Sequence, residues 1–454
     1  MLDWALDWAL DGAHAWPAHP ARQAARGATT AAAAVSQWRP MSTLLVATVG
    51  ALALVSDPAL AADWPQWRGP ARDGCSPEKG LLSEWPEGGP KLLWQNAQAG
   101  LGYSSVAVAG GVLYTLGLVD GKERLLAFDA ATGARLWGAE VGPELDNDWG
   151  DGPRSTPTVA GDAVFALSGR GHLARVDAAS GEPKWIVELV DDLGGGIPDW
   201  GYAESPLFVG DLVVCTPGGE RGTLAALDAA TGAVRWRSTA VKEGAQYASP
   251  LLIEHNGRRQ VVQLVMNQVF AVDPKSGALA WTAPFDGRTA VIPTPVFADG
   301  QVYVTAGYGV GCALFRLAAD GRSVKAVYDN RVMKNHHGGV VRVGGHIYGH
   351  SDGPGWVCQD LATGEEVWSE RGFGKGAVTY ADGRLYCLDE RTGEVALVDA
   401  SPEGWRVRGK LTLAPLSAKR SSQGGVWSHA VIAGGRLYLR DQELLFCYDV
   451  TRPE

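Results

Sequence analysis

Residues 224–236 read LAALDAATGAVRW. Apolar and small residues lead into an Asp, whose carboxylate can accept hydrogen bonds from the backbone of the turn that follows. The Gly supplies the positive φ that closes a four- or five-residue hairpin loop. A second strand follows, ending in a Trp too large for a solvated edge strand to hold without a neighbour to bury it. A close copy stands at 125–137 (LLAFDAATGARLW), and others end at Trp185 (ARVDAASGEPKW), Trp281 (FAVDPKSGALAW) and Trp368 (VCQDLATGEEVW). In each the Trp falls eight residues after the Asp. A unit this small cannot bury its ring alone, so copies must stack.

The turn aspartates stand at 129, 177, 228, 273 and 360, with degenerate turns at Leu317 (LAADG) and Asp399 (VDASPEG). A last leading strand, LLFCYDV, ends near Asp449, and the steps between turns run from 39 to 51 residues. That period fits propeller blades of four strands rather than helical solenoids. Each period also holds an earlier hairpin, such as TPTVAGDAVFAL (156–167), SPLFVGDLVVCT (205–216) and TPVFADGQVYVT (294–305). The expected fold is all-β: an eight-bladed β-propeller of four-stranded antiparallel blades. The last blade stops after its third strand, and Lys91-Leu92-Leu93-Trp94 matches the outer strands. Pairing that segment beside Tyr448 closes the ring and hides two sheet edges. The expected divisions are a leader and signal peptide at 1–62, an N-terminal arm at 63–90 and the propeller at 91–454.

Composition agrees. The chain of 454 residues has 60 Gly and 18 Trp, is 46% hydrophobic and only 20% charged, and carries a formal net charge of −10. Such an acidic balance argues against a nucleic-acid surface, and no basic run of membrane-binding type appears. The stretch 1–40 is Ala-rich and duplicates LDWA, so Met41 competes with Met1 as the start. An apolar run of 12 residues (44–55) followed by Ala59-Leu60-Ala61 has the form of a signal peptide and cleavage site, too short to span a membrane. The mature chain is therefore expected to be periplasmic or secreted, monomeric, and without an integral membrane segment.

In such a ring the connections between blades and the turns between second and third strands open on one rim. Here they are long, polar and aromatic, as in ELDNDWGDGPR (144–154), DDLGGGIPDWGYAE (191–204) and NRVMKNHHGG (330–339). Loops of this kind carry function more often than strand bodies do. The candidate ligand-binding residues at the channel mouth are Arg154, Glu204, Tyr247, Tyr308, His336, His337, His350, Asp352, Lys375 and Trp427. Glu204 reads either as a cation ligand or general base, or as a carboxylate capping loop N–H groups or pairing with Arg154. Arg154 reads either as an anion clamp or as one half of a structural ion pair. In an extended strand His336 and His337 would face opposite sides, so both reach one metal only through a bend. With His350 and Asp352 they form either a proton-relay or metal site, or a set of hydrogen-bonded histidines in a wet channel.

Six cysteines (Cys75, Cys215, Cys312, Cys358, Cys387, Cys447) show no metal-ligand spacing, and five fall in or beside different strands. They read as buried thiols, a bond across neighbouring blades being the alternative. No GxSxG, HExxH or P-loop pattern occurs, which argues against the hydrolases and nucleotide enzymes those motifs mark.

The repeat A-x-D-x-x-T-G-x-x-x-W resembles that of the PQQ-like (quinoprotein) β-propellers. That superfamily includes PQQ-dependent alcohol dehydrogenases and the lipoprotein propeller of the outer-membrane assembly machinery. DWPQWRGPARDG (63–74), KNHHGGVV, YGHSDGPGWVCQD and YLRDQELLFCYDV resemble a secreted, planctomycete-type subgroup, over residue 63 to the end. The resemblance implies that Trp94, Trp137, Trp185, Trp236, Trp281 and Trp368 dock between blades. Blade five departs, with Lys325 at the Trp position and Tyr328 three residues later, and blade seven has Trp405 after a longer turn. Both are expected to pack less regularly. For chemistry, the resemblance implies PQQ and Ca²⁺, with Glu204 as a metal ligand and Arg154 or Lys375 on the quinone carboxylates. The adjacent-cysteine disulfide of those dehydrogenases has no counterpart here, and no motif matches their Asn or catalytic Asp. The first reading is thus an exported binding or scaffold module for a protein, peptide or glycan. The second is a PQQ- and Ca²⁺-dependent dehydrogenase of an alcohol or sugar. The third is a lyase or hydrolase using Tyr308 with the three histidines.

Overall fold

The structure, a computed structural model, describes residues 63–453. The leader readings, from Met1 and Met41 to the Ala59-Leu60-Ala61 site, fall outside the described residues. All regular structure among those described is strand, and no helix there is long and apolar enough to cross a membrane. Eight antiparallel four-stranded sheets follow in chain order, at 107–143, 158–188, 207–237, 251–284, 296–330, 340–370, 378–412 and 431–449, the last completed by Lys91–Asn96. We number these blades 1 to 8. Lys91–Asn96 pairs antiparallel with Leu444–Asp449, placing Leu92 opposite Tyr448 and Trp94 opposite Cys447, so the ring closes as the repeat count requires.

The repeat works as its residues dictate. Asp228 Oδ1 accepts from the amides of Ala230 (3.0 Å) and Thr231 (2.9 Å) and from the Thr231 hydroxyl (2.9 Å). The glycine of the turn has a second duty. A Cβ on Gly277 would stand 2.4 Å from the ring of Trp236, so the left-handed residue of blade 4 is also the socket for the tryptophan of blade 3. Indole N–H groups fasten the same joints elsewhere: Trp94 to Ala130 O (3.1 Å), Trp185 to Ala229 O (3.1 Å), Trp236 to Pro274 O (3.0 Å) and Trp368 to Ser401 O (2.9 Å). Trp281 faces the degenerate turn of blade 5 and donates to Gln260 within its own blade instead.

Of the two blades expected to pack less regularly, blade 5 does not and blade 7 does. Tyr328 takes the place of the missing tryptophan of blade 5, its hydroxyl donating to Leu361 O at 3.1 Å and its ring lying over Gly364. On blade 7, Trp405 packs back onto Trp356 and Trp368 of blade 6. Trp85 of the arm covers the blade it left bare, bonding Arg408 O (2.9 Å) and joining the buried cluster of Tyr386, Leu411 and Leu413.

The arm is the part of the architecture that the repeat does not announce. Each innermost strand turns an unpaired edge toward the axis, and its carbonyls need donors. Residues 64–78 supply partners to all eight. Trp64 exchanges backbone hydrogen bonds with Val108, and Pro65 O accepts from Val159. Trp67 Nε1 donates to Thr294 (2.9 Å), Arg68 to Val340 O, and Ser76 to Ile432 O (3.1 Å). Cys75–Ser76 runs parallel beside Val378–Ala381 as a fifth strand of blade 7. Arg72, 2% exposed, donates to Gln66 (2.9 Å), Ser205 O (3.0 Å), Pro250 O (3.0 Å), Thr158 (3.3 Å) and Pro206 O. The arm begins and leaves at one rim, since Asp63 accepts from Gly110 and Glu78 from Gly434 and Gly435, all in first-hairpin turns. It fills the axis from that side.

Candidate functional site

On the opposite rim, neighbouring blades deliver titratable side chains to one place. Tyr308 stands in the second-to-third turn of blade 5, and His336 and His337 in the connection to blade 6. His350 is the penultimate residue of the second strand of blade 6, and Asp352 lies in the turn after it. Lys375 comes from the connection to blade 7, Glu390 from the second-to-third turn of blade 7, and Trp427 from the connection to blade 8. Tyr308 has φ +54°, a left-handed backbone that costs a non-glycine residue about 1–3 kcal/mol and that clusters at binding sites.

His336 Nε2 lies 2.7 Å from the Tyr308 hydroxyl, and Lys375 Nζ bonds His336 Nδ1. Asp352 stands 3.5 Å from Lys375 Nζ. His337 Nε2 and Glu390 Oε2 pair at 2.7 Å, both atoms buried. His350 Nδ1 and Trp427 Nε1 are also buried but unpartnered. A ladder of rings joins these groups: Tyr308 to His336 at 4.5 Å, His336 to His337 at 4.9 Å, His337 to Trp427 at 5.6 Å. Trp427 in turn meets Tyr103 (4.7 Å) and Trp149 (6.3 Å), and Trp149 is 41% exposed. Burial, reinforced by the neighbouring charges of His337, Lys375 and His350, pushes His336 down to about 2. Burial likewise pushes His350 down to about 4. Both rings are neutral at physiological pH.

The arm reaches this site from beneath. The Trp67 ring packs 4.5 Å from His429, and His429 Nε2 lies 3.1 Å from His337 O. The floor of the site is therefore the tip of the segment that fills the axis.

Of the ten residues expected at the channel mouth, Tyr308, His336, His337, His350, Asp352, Lys375 and Trp427 come together. Three do not join them. Arg154 is turned onto Gly152 O (2.6 Å) and Gly150 O (2.8 Å), with its guanidinium 5.5 Å over the Tyr103 ring. It forms no ion pair with Glu204. Glu204 is fully buried, with its two oxygens taken by the amide and hydroxyl of Thr216 and its charge balanced by Arg72. Tyr247 is buried against Trp200, whose amide donates to its hydroxyl at 3.3 Å. Sequence reading passed over Glu390, because the DERTG around it repeats the turn signature while sitting on the other rim. It also passed over Tyr103, Trp67 and His429. The density of Trp and Arg in DWPQWRGPARDG was the available signal for the arm.

Eight antiparallel blades with a docked Trp at each regular joint, and a polar rim held by blade connections, define a PQQ-like β-propeller. The chain matches the family described as outer membrane protein assembly factor BamB over residues 79–194 and 121–370, and it belongs to that family. No curated protein sequence matches it. Among solved structures it is similar to BamB from Moraxella catarrhalis, at 16% identity and TM-score 0.55, covering 77% of this chain and 95% of that one. It is similar also to the quinohemoprotein alcohol dehydrogenase from Comamonas testosteroni, at 13% identity and TM-score 0.60, covering 86% and 81%. A computationally designed protein, Ika8, aligns at 12% identity and TM-score 0.53 over 79% and 100%. At these identities the likeness is one of fold.

The quinone cofactor of some propellers of this kind does not fit the axis here. The axial gap bounded by Trp64, Trp67, Arg68, Thr156, Thr379 and His429 has a cavity volume of about 0 Å³, far below the ~300 Å³ at which small-molecule sites begin. All six cysteines are free thiols on separate segments. Among the described residues no three His, Cys, Asp or Glu side chains converge as a metal-binding group. The side chains proposed for the quinone carboxylates, Arg154 and Lys375, already bond protein partners.

Proposed function

We propose that this protein is an exported glycan-binding propeller whose ligand lies on the rim between Tyr308 and Trp149. One observation carries the reading. Two buried polar atoms on this rim, His350 Nδ1 and Trp427 Nε1, have no partner among the described residues, and they mix a donor with a ring nitrogen that donates or accepts according to its tautomer. A sugar hydroxyl, which both donates and accepts, satisfies such a mixture better than a carbonyl or an ammonium does. The exposed ring of Trp149, backed by Trp427 and Tyr103, offers the apolar wall on which a sugar face can lie. Export rests on the signal-like run at 44–55. A protein partner, as the name of the relative from Moraxella suggests, is the competing occupant of the same rim.

The test is titration of purified protein with a panel of oligosaccharides, followed by tryptophan fluorescence and calorimetry. Trp149→Ala is expected to weaken glycan binding more than tenfold with an unchanged melting temperature, because its side chain projects from the fold. Saturable binding that ignores this substitution would remove the rim from the account.

A further inference from the structure

The hydrogen bonds around His336 have only one consistent direction. Lys375 carries an ammonium, which has donors and no acceptor, so His336 Nδ1 must accept from it. A neutral imidazole accepting at Nδ1 carries its proton at Nε2. That Nε2–H therefore donates to the Tyr308 oxygen 2.7 Å away. The proton of Tyr308 must then point elsewhere, and no acceptor among the described residues takes it. Tyr308 is 37% exposed and held outward by its left-handed turn. The chain from Lys375 through His336 to Tyr308 is thus a row of donors ending in an outward phenol O–H, with a cation behind it.

We propose that Tyr308 is an obligate donor that makes the rim selective for a carboxylate-bearing saccharide, a uronate, over its neutral counterpart. The inference rests on the glycan reading above and names the class of sugar. The ordered chain favours an acceptor-only group, since a hydroxyl gains from either direction while a carboxylate gains only from a donor. A hydrogen bond to a charged acceptor is also roughly twice as strong as one between neutral groups. Asp352, the nearest carboxylate to this chain, faces Lys375 at 3.5 Å and offsets part of the cation behind the donor. Glu390, further along the rim, stands against His337. Arg68, buried beneath, has its Nε and one terminal nitrogen without partners.

Two measurements test this. The first needs no ligand: ¹⁵N chemical shifts of His336 should report the Nε2–H tautomer, and an Nδ1–H tautomer would overturn the proposal. The second compares oligogalacturonate, oligomannuronate and oligoglucuronate with their methyl esters by calorimetry. At least one acid should bind ten times more tightly than its ester, and Tyr308→Phe should erase that preference while leaving the melting temperature in place. Lys375→Met should weaken the preference as well. Equal affinity for acids and esters, or a preference that survives Tyr308→Phe, would overturn the proposal while the glycan reading stands. If neutral oligosaccharides bind and no uronate does, the outcome is the same. Binding of no saccharide at all would remove both.

Discussion

On one rim Asp129, Asp228, Asp273 and Asp360 each accept from the amides of their own turns, and each turn closes on itself. On the other, second-to-third turns and blade connections pair His337 with Glu390 across blades and leave His350 Nδ1 and Trp427 Nε1 without a partner. The same strands build both rims. The difference lies in where each polar group finds its partner: within four residues on the first, across blades or not at all on the second. Buried polar atoms left unpaired are costly, so a rim that keeps two of them beside a buried His–carboxylate pair is shaped for something beyond folding.

Opening the ring should give the largest effect, because it is the one change that abolishes both rims together. Deleting residues 91–96 removes the fourth strand of blade 8 and its pairing with Leu444–Asp449. The cooperative thermal transition should be lost or lowered throughout, and a melting temperature equal to that of the intact chain would break the account of closure. A single substitution then separates partners across blades from partners within a turn. Arg72→Met leaves the carbonyls of Ser205, Pro206 and Pro250 without their donor and Glu204 without its countercharge. Removing one partner of such a buried set costs about 3–5 kcal/mol, readable from urea unfolding. Asp360→Ala, which frees two amides of an exposed turn, should cost less than half as much; equal losses would erase the contrast.

The smallest effect is a slope. Burial, opposed by the Thr216 hydroxyl and amide and by Arg72, lifts Glu204 to about 7, and burial, opposed by the Gly169 and Leu145 amides, lifts Glu123 to about 7. These raised carboxyls contribute stability below their ordinary range that is lost as pH rises through 7. Burial pushes His336 to about 2, His429 to about 3 and His350 to about 4, and their contribution is present above the ordinary histidine value and lost as pH falls. Near pH 5.5 three histidines gain protons on unfolding while two carboxyls release them, a net uptake of about one proton. Stability should therefore fall from pH 6.5 to 5. Glu204→Gln deletes one released proton and should steepen that fall by about one more proton. A flatter profile in the variant would reverse the assignment. Asp129, Asp177, Asp228 and Asp360, held low by their own Thr or Ser partners, enter only below about pH 4.

What was legible follows the same division. The Asp-x-x-Thr-Gly turn and its Trp are local patterns, so blade number, order and closure could be read from spacing alone. Tyr308, His336, Lys375 and Asp352 were legible as neighbours because topology places those loops of adjoining blades on one rim. Arg154 and Glu204 are not at the channel mouth, though Glu204 does take an N–H group as its alternative reading held: polarity marks a residue as chemically able but does not say which way it turns. The arm was the least legible element. Its hydrogen bonds to the eight blades mix backbone pairing, as at Trp64 and Val108, with single side chains, as Arg72 shows with Ser205 and Pro250, and no periodicity encodes that.

The arm's route also imposes a schedule on the newborn chain. Ser76 and Ile432 lie 356 residues apart, and Trp94 pairs opposite Cys447, so the arm and the closing strand meet these partners only once the last blade is present. Until then the blades stand as an open fan, with naked inner edges and no axle. Contacts of such long range make for slow completion and for an interval in which an unpaired strand can add to a stranger's sheet. Seating Lys91–Asn96 against Leu444–Asp449 is the contact that would end that interval.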